Sequence, residues 1–256
     1  MTPTTPLLTV TGLVKRFGGI VVSDRIDFDL KHGEVHALIG PNGAGKTTFI
    51  NLLSGEIAPN EGRIAFDGQD ITRASTSSRA SMGLVRSYQV TSVVQEFTAL
   101  ENVMLAVQAR DRRNYEFTRD VRGDASLTRP ARAVLEQIGL GAKQNFRVAN
   151  LAHGERRQLE LGMILALQPK VMLLDEPLAG MSGLEAEEMV AFLARLKGTY
   201  GIVLVEHDMD AVFALADRVT VLVYGRSIAT GSPADIQQNP AVRLAYLGDE
   251  EEEAAA

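Results

Sequence analysis

"VHALIGPNGAGKTTFINLLSG", residues 35–55, joins three kinds of segment that seldom follow one another by accident. A continuous apolar run, Val35–Ile39, predicts a short strand buried on both faces. The glycine-rich loop after it fits G-x-x-x-x-G-K-[ST]. Phe49, Ile50, Leu52 and Leu53 then recur at helical spacing before Gly55, a C-terminal stop. Strand, loop and helix in that order give the loop a physical job. Gly40, Gly43 and Gly45 let the backbone curl until its N–H groups face a phosphate at a helix N-terminus. Lys46 reaches toward the β- and γ-phosphates, and Thr47 offers a hydroxyl to Mg²⁺. Pro41, Asn42, Ala44 and Thr48 complete the candidate nucleotide-binding loop.

The reading extends outward from that loop. "VMLL" (171–174), "IVLV" (202–205) and "VTVLV" (219–223) are further short apolar runs, so the expected core is a parallel sheet with helices between strands. One of those helices is predicted to end at Gly198, after Val190, Leu193 and Leu196. "LLTVTGLVKRF" (7–17), "DFDL" (27–30) and "GRIAFDG" (62–68) have only short turns between them, which predicts a small antiparallel layer. Residues 89–150 turn helical and Arg-rich, with "ENVMLAVQARDRR" (101–113) and "ARAVLEQIG" (131–139) the clearest helices. The chain is therefore expected to be one unit. Residues 1–88 and 151–232 form its core, 89–150 a helical insert, and 233–256 a C-terminal helix with an acidic-alanine tail.

Two more motifs fall at strand ends, where open α/β sheets bind their ligands. "VMLLDEP" (171–177) places Asp175 to hold Mg²⁺ through water and Glu176 to orient and polarise an attacking water. "VEHDM" (205–209) puts His207 at the next such edge, where an imidazole can meet the γ-phosphate and that water. His32 and His36 have no such company and are read as structural.

Composition narrows the class. The chain has 256 residues and no cysteine, which excludes disulfides and thiolate metal sites. Its formal charge is −6, but Asp249 and Glu250 to Glu253 supply five of those charges and leave a body near −1. A near-neutral body gives no electrostatic reason to expect nucleic acid as a partner. The start has no basic segment before a long apolar one, so no signal peptide is expected. Apolar stretches such as "MILAL" (163–167) fall far short of the roughly 18 residues of a membrane span.

With these motifs placed, the chain resembles the ATP-binding subunits of ABC transporters over nearly its whole length. The resemblance implies an α/β fold of the P-loop NTPase (RecA-like) type, with an antiparallel β subdomain and a helical insert. It implies ATP and Mg²⁺ as ligands, with "GPNGAGKTT" as Walker A, "VMLLDEP" as Walker B with its catalytic Glu176, and "EHD" as the switch histidine. Gln89 in "VRSYQV" corresponds to the glutamine that contacts Mg²⁺ and links the site to a membrane subunit. Phe17 in "KRFGG" corresponds to the aromatic residue on which adenine stacks.

In that family two subunits pair head to tail, and the loop "LSGGQ" of one covers the ATP held by the other. Here "LAHGERRQLEL" (151–161) stands in that place. Gly154 is kept, Ala152 replaces the serine, His153 a glycine, and Glu155 the glutamine. The following helix should show Leu159, Met163 and Leu167 on one face. Ala152 removes one hydroxyl bond, and a hydrogen bond to a charged group contributes roughly 1.5–3 kcal/mol. In "LAGMSGLE" (178–185) Ser182 stands where the family usually has Asp.

"KRFGG", "VRSYQ", "RRQLEL", "EHDM" and "NPAVRLAYLGD" (239–249) are similar to one branch, the importer ATPases for branched-chain amino acids and related solutes. That branch implies a second ATPase subunit (the same or a different chain), two membrane permease subunits and, indirectly, an external solute-binding protein. It also implies a place on the cytoplasmic side of the inner membrane. A lipopolysaccharide-export ATPase shares much of the pattern and is the alternative. Soluble ABC ATPases of DNA repair and translation fit less well, since this chain has one cassette and no heptad array. Arg110, Arg112 and Arg113 are read as a solvated face.

Overall fold

The computed structural model of the chain describes residues 5–87, 93–111 and 123–245. Its centre is a six-stranded sheet in the order β10-β9-β3-β8-β7-β6. Strands β3 (Val35–Ile39), β6 (Leu84–Arg86), β7 (Val171–Asp175), β8 (Gly201–Val205) and β9 (Arg218–Val223) run parallel, and β10 (Arg226–Gly231) closes one edge antiparallel. The four runs read as buried strands are β3, β7, β8 and β9. Alternation of side chains across a strand explains why each is apolar throughout. Ala37, Ile39, Met172 and Leu174 enter one core with the helices α3 (Ala99–Arg110), α4 (Ala125–Gln137), α5 (His153–Ala166), α6 (Gly183–Leu196) and α7 (Met209–Leu215). Leu38, Leu173, Val203 and Val205 enter the other.

That second core lies under a four-stranded antiparallel sheet, β2-β1-β4-β5, made of β1 (Leu8–Phe17), β2 (Ile20–Leu30), β4 (Glu61–Phe66) and β5 (Gln69–Asp70). Helix α1 (Lys46–Ser54) contributes Phe49, Ile50, Leu52 and Leu53, all fully buried. Burying a side chain of this kind stabilises by about 1.5–3 kcal/mol. The phosphate-loop helix is thus held by the core, and its N-terminus is left to face outward.

Several boundaries differ from the sequence reading. Helix α4 starts at Ala125, capped by Asp124, and carries Pro130 inside it, whereas the apolar pattern pointed only to residues after that proline. Helix α6 ends at Leu196, but Gly198 is not its hydrogen-bonded cap. Lys197 is already extended, and the Gly198 N–H donates instead to Gly33 O at 2.9 Å, tying the helix end to the turn before β3. Strand β6 and hairpin strand β10 went unread because three residues and a largely exposed edge carry little periodicity. Of the expected α5 stripe, Leu159 is buried while Met163 and Leu167 are half-buried, and Leu161, Ile164 and Leu165 are buried as well. Beyond α2 (Thr76–Met82) and α8 (Pro233–Gln238), residues 240–245 are helical. Arg110 pairs with Asp111 at 2.8 Å; Arg112, Arg113, residues 88–92 and the acidic tail lie outside the described residues.

His36 takes the structural place expected of it. Its ring stacks on Phe28, with centroids 4.1 Å apart. Nδ1–H donates to Asp29 O at 2.8 Å, and Nε2 accepts from the Thr220 hydroxyl at 2.8 Å. Burial, aided by the nearby Arg218 guanidinium, lowers its pKa from the ordinary 6.5 to about 4, against the opposing pull of Asp29. Below pH 6.5 the unfolded chain takes up a proton that the folded chain refuses until about pH 4. Stability is therefore full above 6.5 and falls through that window, by about 3 kcal/mol in all at 1.36 kcal/mol per unit. Urea midpoints measured from pH 7 to 4 should drop more steeply for the native chain than for His36→Gln. Parallel curves would rule His36 out as the cause.

Candidate functional site

The loop between β3 and α1 is shaped by close backbone approaches. A Cβ on Gly40 would sit 2.1 Å from Leu222 O, and one on Gly45 would sit 2.7 Å from Val22 O, so neither position has room for a side chain. Gly45 is the N-cap of α1 in the left-handed region (φ 100°), which favours glycine. The Gly225 N–H donates to Ala44 O at 3.0 Å, bracing the loop against the turn between β9 and β10. Helix α1 has neither a side-chain cap nor an acid in its first turn. Its partial positive end is thus open to an outside anion. Lys46 is buried, with Nζ donating to Gly40 O at 2.6 Å and Pro41 O at 2.9 Å; Asn42 and Thr47 are exposed.

At the ends of β7 and β8 the two acids and the histidine come together. Glu176 and His207 are in direct contact, the imidazole Nε2–H donating to Oε1 at 2.8 Å. Glu176 holds a left-handed backbone (φ 52°), fixed by its N–H to Val205 O at 2.8 Å and by its C=O, which accepts from Ala179 N–H. Such a conformation costs of order 1–3 kcal/mol in a non-glycine residue and persists where surrounding structure imposes it. Asp175 is buried beside it. Burial raises its carboxyl pKa and Glu176 adds to that, while Arg86 and Lys46 oppose it. Oδ2 accepts from Arg86 Nη2 at 3.1 Å, and Oδ1 has no hydrogen-bond partner among the described residues.

Two members of this cluster escaped the sequence reading. Arg86, at the end of β6, bonds Asn51 and pairs with Glu56 at 3.0 Å as well as with Asp175, so one guanidinium ties β6, α1 and β7 together. Glu206 is buried, with Oε1 accepting Leu178 N–H at 2.7 Å and Oε2 accepting His207 N–H at 3.1 Å. Burial pushes its carboxyl up. It fixes the chain on both sides of the Glu176–His207 contact. The only sequence signal was an acid, unusual at the end of so apolar a strand.

Phe17 is 50% exposed at the end of β1, outside both cores, with Lys15 Nζ 4.9 Å from its ring centre. Gln89 lies outside the described residues. Residues 151–155 form a second polar group. Ala152 has the backbone of an N-cap (φ −62°, ψ 164°) for α5, yet no oxygen with which to cap. Glu155 covers the Ala152 N–H at 3.1 Å and pairs with Lys143. Gly154 N–H donates to Glu185 Oε1 at 3.0 Å, and the other oxygen of Glu185 accepts from the Ser182 N–H and hydroxyl at 3.0 and 2.8 Å. These donors, the Ser182 amide first, hold the Glu185 carboxyl below the usual range.

The ABC transporter family pattern matches residues 23–179, and the pattern of the branched-chain amino acid ATP-binding cassette transporter matches residues 226–252. The chain is 36% identical over 252 residues to the high-affinity branched-chain amino acid transport ATP-binding protein LivG of Salmonella typhimurium, covering 95% of this chain and 98% of that protein. It is 34% identical over 251 residues to BraF of Pseudomonas aeruginosa, which bears the same description, with the same two coverages. Among solved structures, the ADP conformation of an ATP-binding cassette of an ABC transporter superposes with a TM-score of 0.85 at 27% identity, over 96% of this chain and 100% of that one.

Proposed function

Because the chain belongs to the ATP-binding subunits of ABC transporters, we propose that it hydrolyses ATP to power import of branched-chain amino acids or a related small solute. The observation that carries the hydrolytic reading is the Glu176–His207 contact at the sheet edge, with Asp175 and the Lys46 loop beside it. The match over residues 226–252 and relatives of the same length support the solute class.

The phosphates would lie against the amides of residues 40–48, with Lys46 Nζ turning from the Gly40 and Pro41 carbonyls to phosphate oxygens. Adenine would stack on the exposed ring of Phe17. Glu176 would accept a hydrogen bond from the attacking water and aim it at the γ-phosphorus, and His207 would hold the Glu176 carboxylate in place. The oxygens present suit Mg²⁺, a hard cation. Asp175 offers a buried Oδ1 that lacks a partner among the described residues, and Thr47 an exposed hydroxyl; Gln89, outside the described residues, would supply a third oxygen. Bound there, Mg²⁺ would offset phosphate charge.

Two ATPase subunits, the same or different, would pair so that residues 152–155 of one cover the nucleotide of the other. Among the described residues no helix is long and apolar enough to cross a membrane. The likeness to branched-chain amino acid transport ATP-binding proteins supports a place on the cytoplasmic side of the inner membrane, held there by two permease subunits, with an external solute-binding protein delivering the solute. An apolar cavity of about 330 Å³ between β6, α2, α3 and α5, lined by Leu84, Leu105, Met163 and Leu167, supports a permease contact next to Arg86.

Proteoliposomes holding the chain, its permeases and internal ATP should take up labelled leucine, isoleucine or valine when the solute-binding protein is added outside. Transport of lipid with no amino acid would overturn this reading in favour of lipopolysaccharide export.

A further inference from the structure

A helix of 14 residues that begins without a cap leaves backbone donors to be satisfied from elsewhere. In α5 the cap position is Ala152, and the donor its side chain cannot serve, Gly154 N–H, is taken by Glu185 from the first turn of α6. The approach is close: a Cβ at 154 would sit 2.8 Å from Glu185 Oε1, so any side chain there would require the carboxylate to move away. We infer that Glu185 is a positioning residue that replaces the missing cap of α5, and that its carboxylate stands where a γ-phosphate oxygen of the partner subunit's ATP binds when the pair closes. The second half of this inference rests on the proposed role of residues 151–155.

Several observations point the same way. Both occupants are anions, and the amide at the second position of a helix N-terminus favours either. One N–H cannot serve both at full strength, so closure over nucleotide frees Glu185 from Gly154. The same carboxylate also holds Ser182, through its N–H and its hydroxyl. Loss of the Gly154 bond is therefore felt directly by the loop 178–182, which starts beside Glu176 and is anchored by Glu206 at Leu178. Ser182 suits this arrangement because its hydroxyl donates to Glu185. An aspartate there would set a second carboxylate against the first.

The cap is tested without nucleotide. Glu185→Ala should lower the melting temperature by about 2–6 °C. Ala152→Ser supplies an oxygen on α5 itself, so in that background the same Glu185→Ala change should cost less, by about the share of the Gly154 bond, because the two bonds to Ser182 are lost in both. Equal losses in the two backgrounds would overturn the claim that Glu185 stands in for the cap. Displacement is tested with Mg-ATP in proteins carrying Glu176→Gln, followed by mass in solution. Removing the Glu185 carboxylate should lower the ATP concentration needed for pairing by about tenfold. An unchanged or higher requirement would overturn displacement. If the Glu176→Gln parent does not pair with itself, the same comparison is made with the second ATPase subunit added. Failure of those mixtures to pair as well would count against residues 151–155 as a nucleotide-facing surface and so overturn the displacement half. The melting comparison would still decide the cap.

Discussion

Glu176→Gln is expected to slow ATP hydrolysis by about 10²–10⁴-fold, the range for loss of a positioned general base, while ATP binding changes little. The substitution keeps size and backbone and removes only the charge and one strong acceptor. Glutamine can still meet His207 at the position where Oε1 lies 2.8 Å from Nε2, so the fold and the left-handed backbone at 176 have no new reason to fail. What is lost is the carboxylate proposed to orient and polarise the attacking water. Steady-state phosphate release gives the rate, and equilibrium binding of labelled ATP gives the affinity. A fall in rate below tenfold would remove Glu176 from the mechanism and shift attention to Glu206, the other acid in contact with His207. A fall in binding equal to the fall in rate would show that the residue matters for holding nucleotide and not for the chemical step.

Lys46→Met should give the opposite split. ATP affinity is expected to fall by about 10²-fold or more, since two charge-assisted hydrogen bonds of roughly 1.5–3 kcal/mol each are lost. Hydrolysis at limiting ATP would fall with it. Methionine retains most of the buried stem, so the test isolates the ammonium. The Gly40 and Pro41 carbonyls that it bonds belong to the loop proposed to hold the phosphates. Some loss of loop order will accompany the loss of charge. Comparing ADP with ATP separates the two effects, because an ammonium that reaches the γ-phosphate matters more for ATP, whereas a disordered loop weakens both alike. Binding of ATP within threefold of the native value would rule Lys46 out as a phosphate ligand.

The two substitutions probe features that were legible before any coordinates. The loop 40–48, the acids at 175 and 176 and the histidine at 207 each sit at the end of an apolar run, and apolar runs are read from neighbours in the chain. The same holds for the antiparallel layer and for most helices, whose period is set within one or two turns. Where that local signal was thin, the reading fell short. Strand β6 has three residues, and Pro130 interrupts the pattern of α4 without ending it. Gly198 had the look of a helix cap, but its N–H was drawn to Gly33 by a turn far back in the chain.

Tertiary structure alone decided how the site is held. Arg86 reaches Asp175 across 89 residues, Glu206 reaches Leu178 across 28, and Glu185 reaches Gly154 across 31. None of these pairs has a spacing that a helix or strand period would mark. Each forms because parallel strands end at the same sheet edge and helix N-termini gather above it, leaving buried charges and uncapped amides with one another as partners. From the residues in order come the reacting groups and the sheet edge that presents them. Which acid supports which amide follows only after folding, because it depends on distances between segments that the chain does not keep near each other.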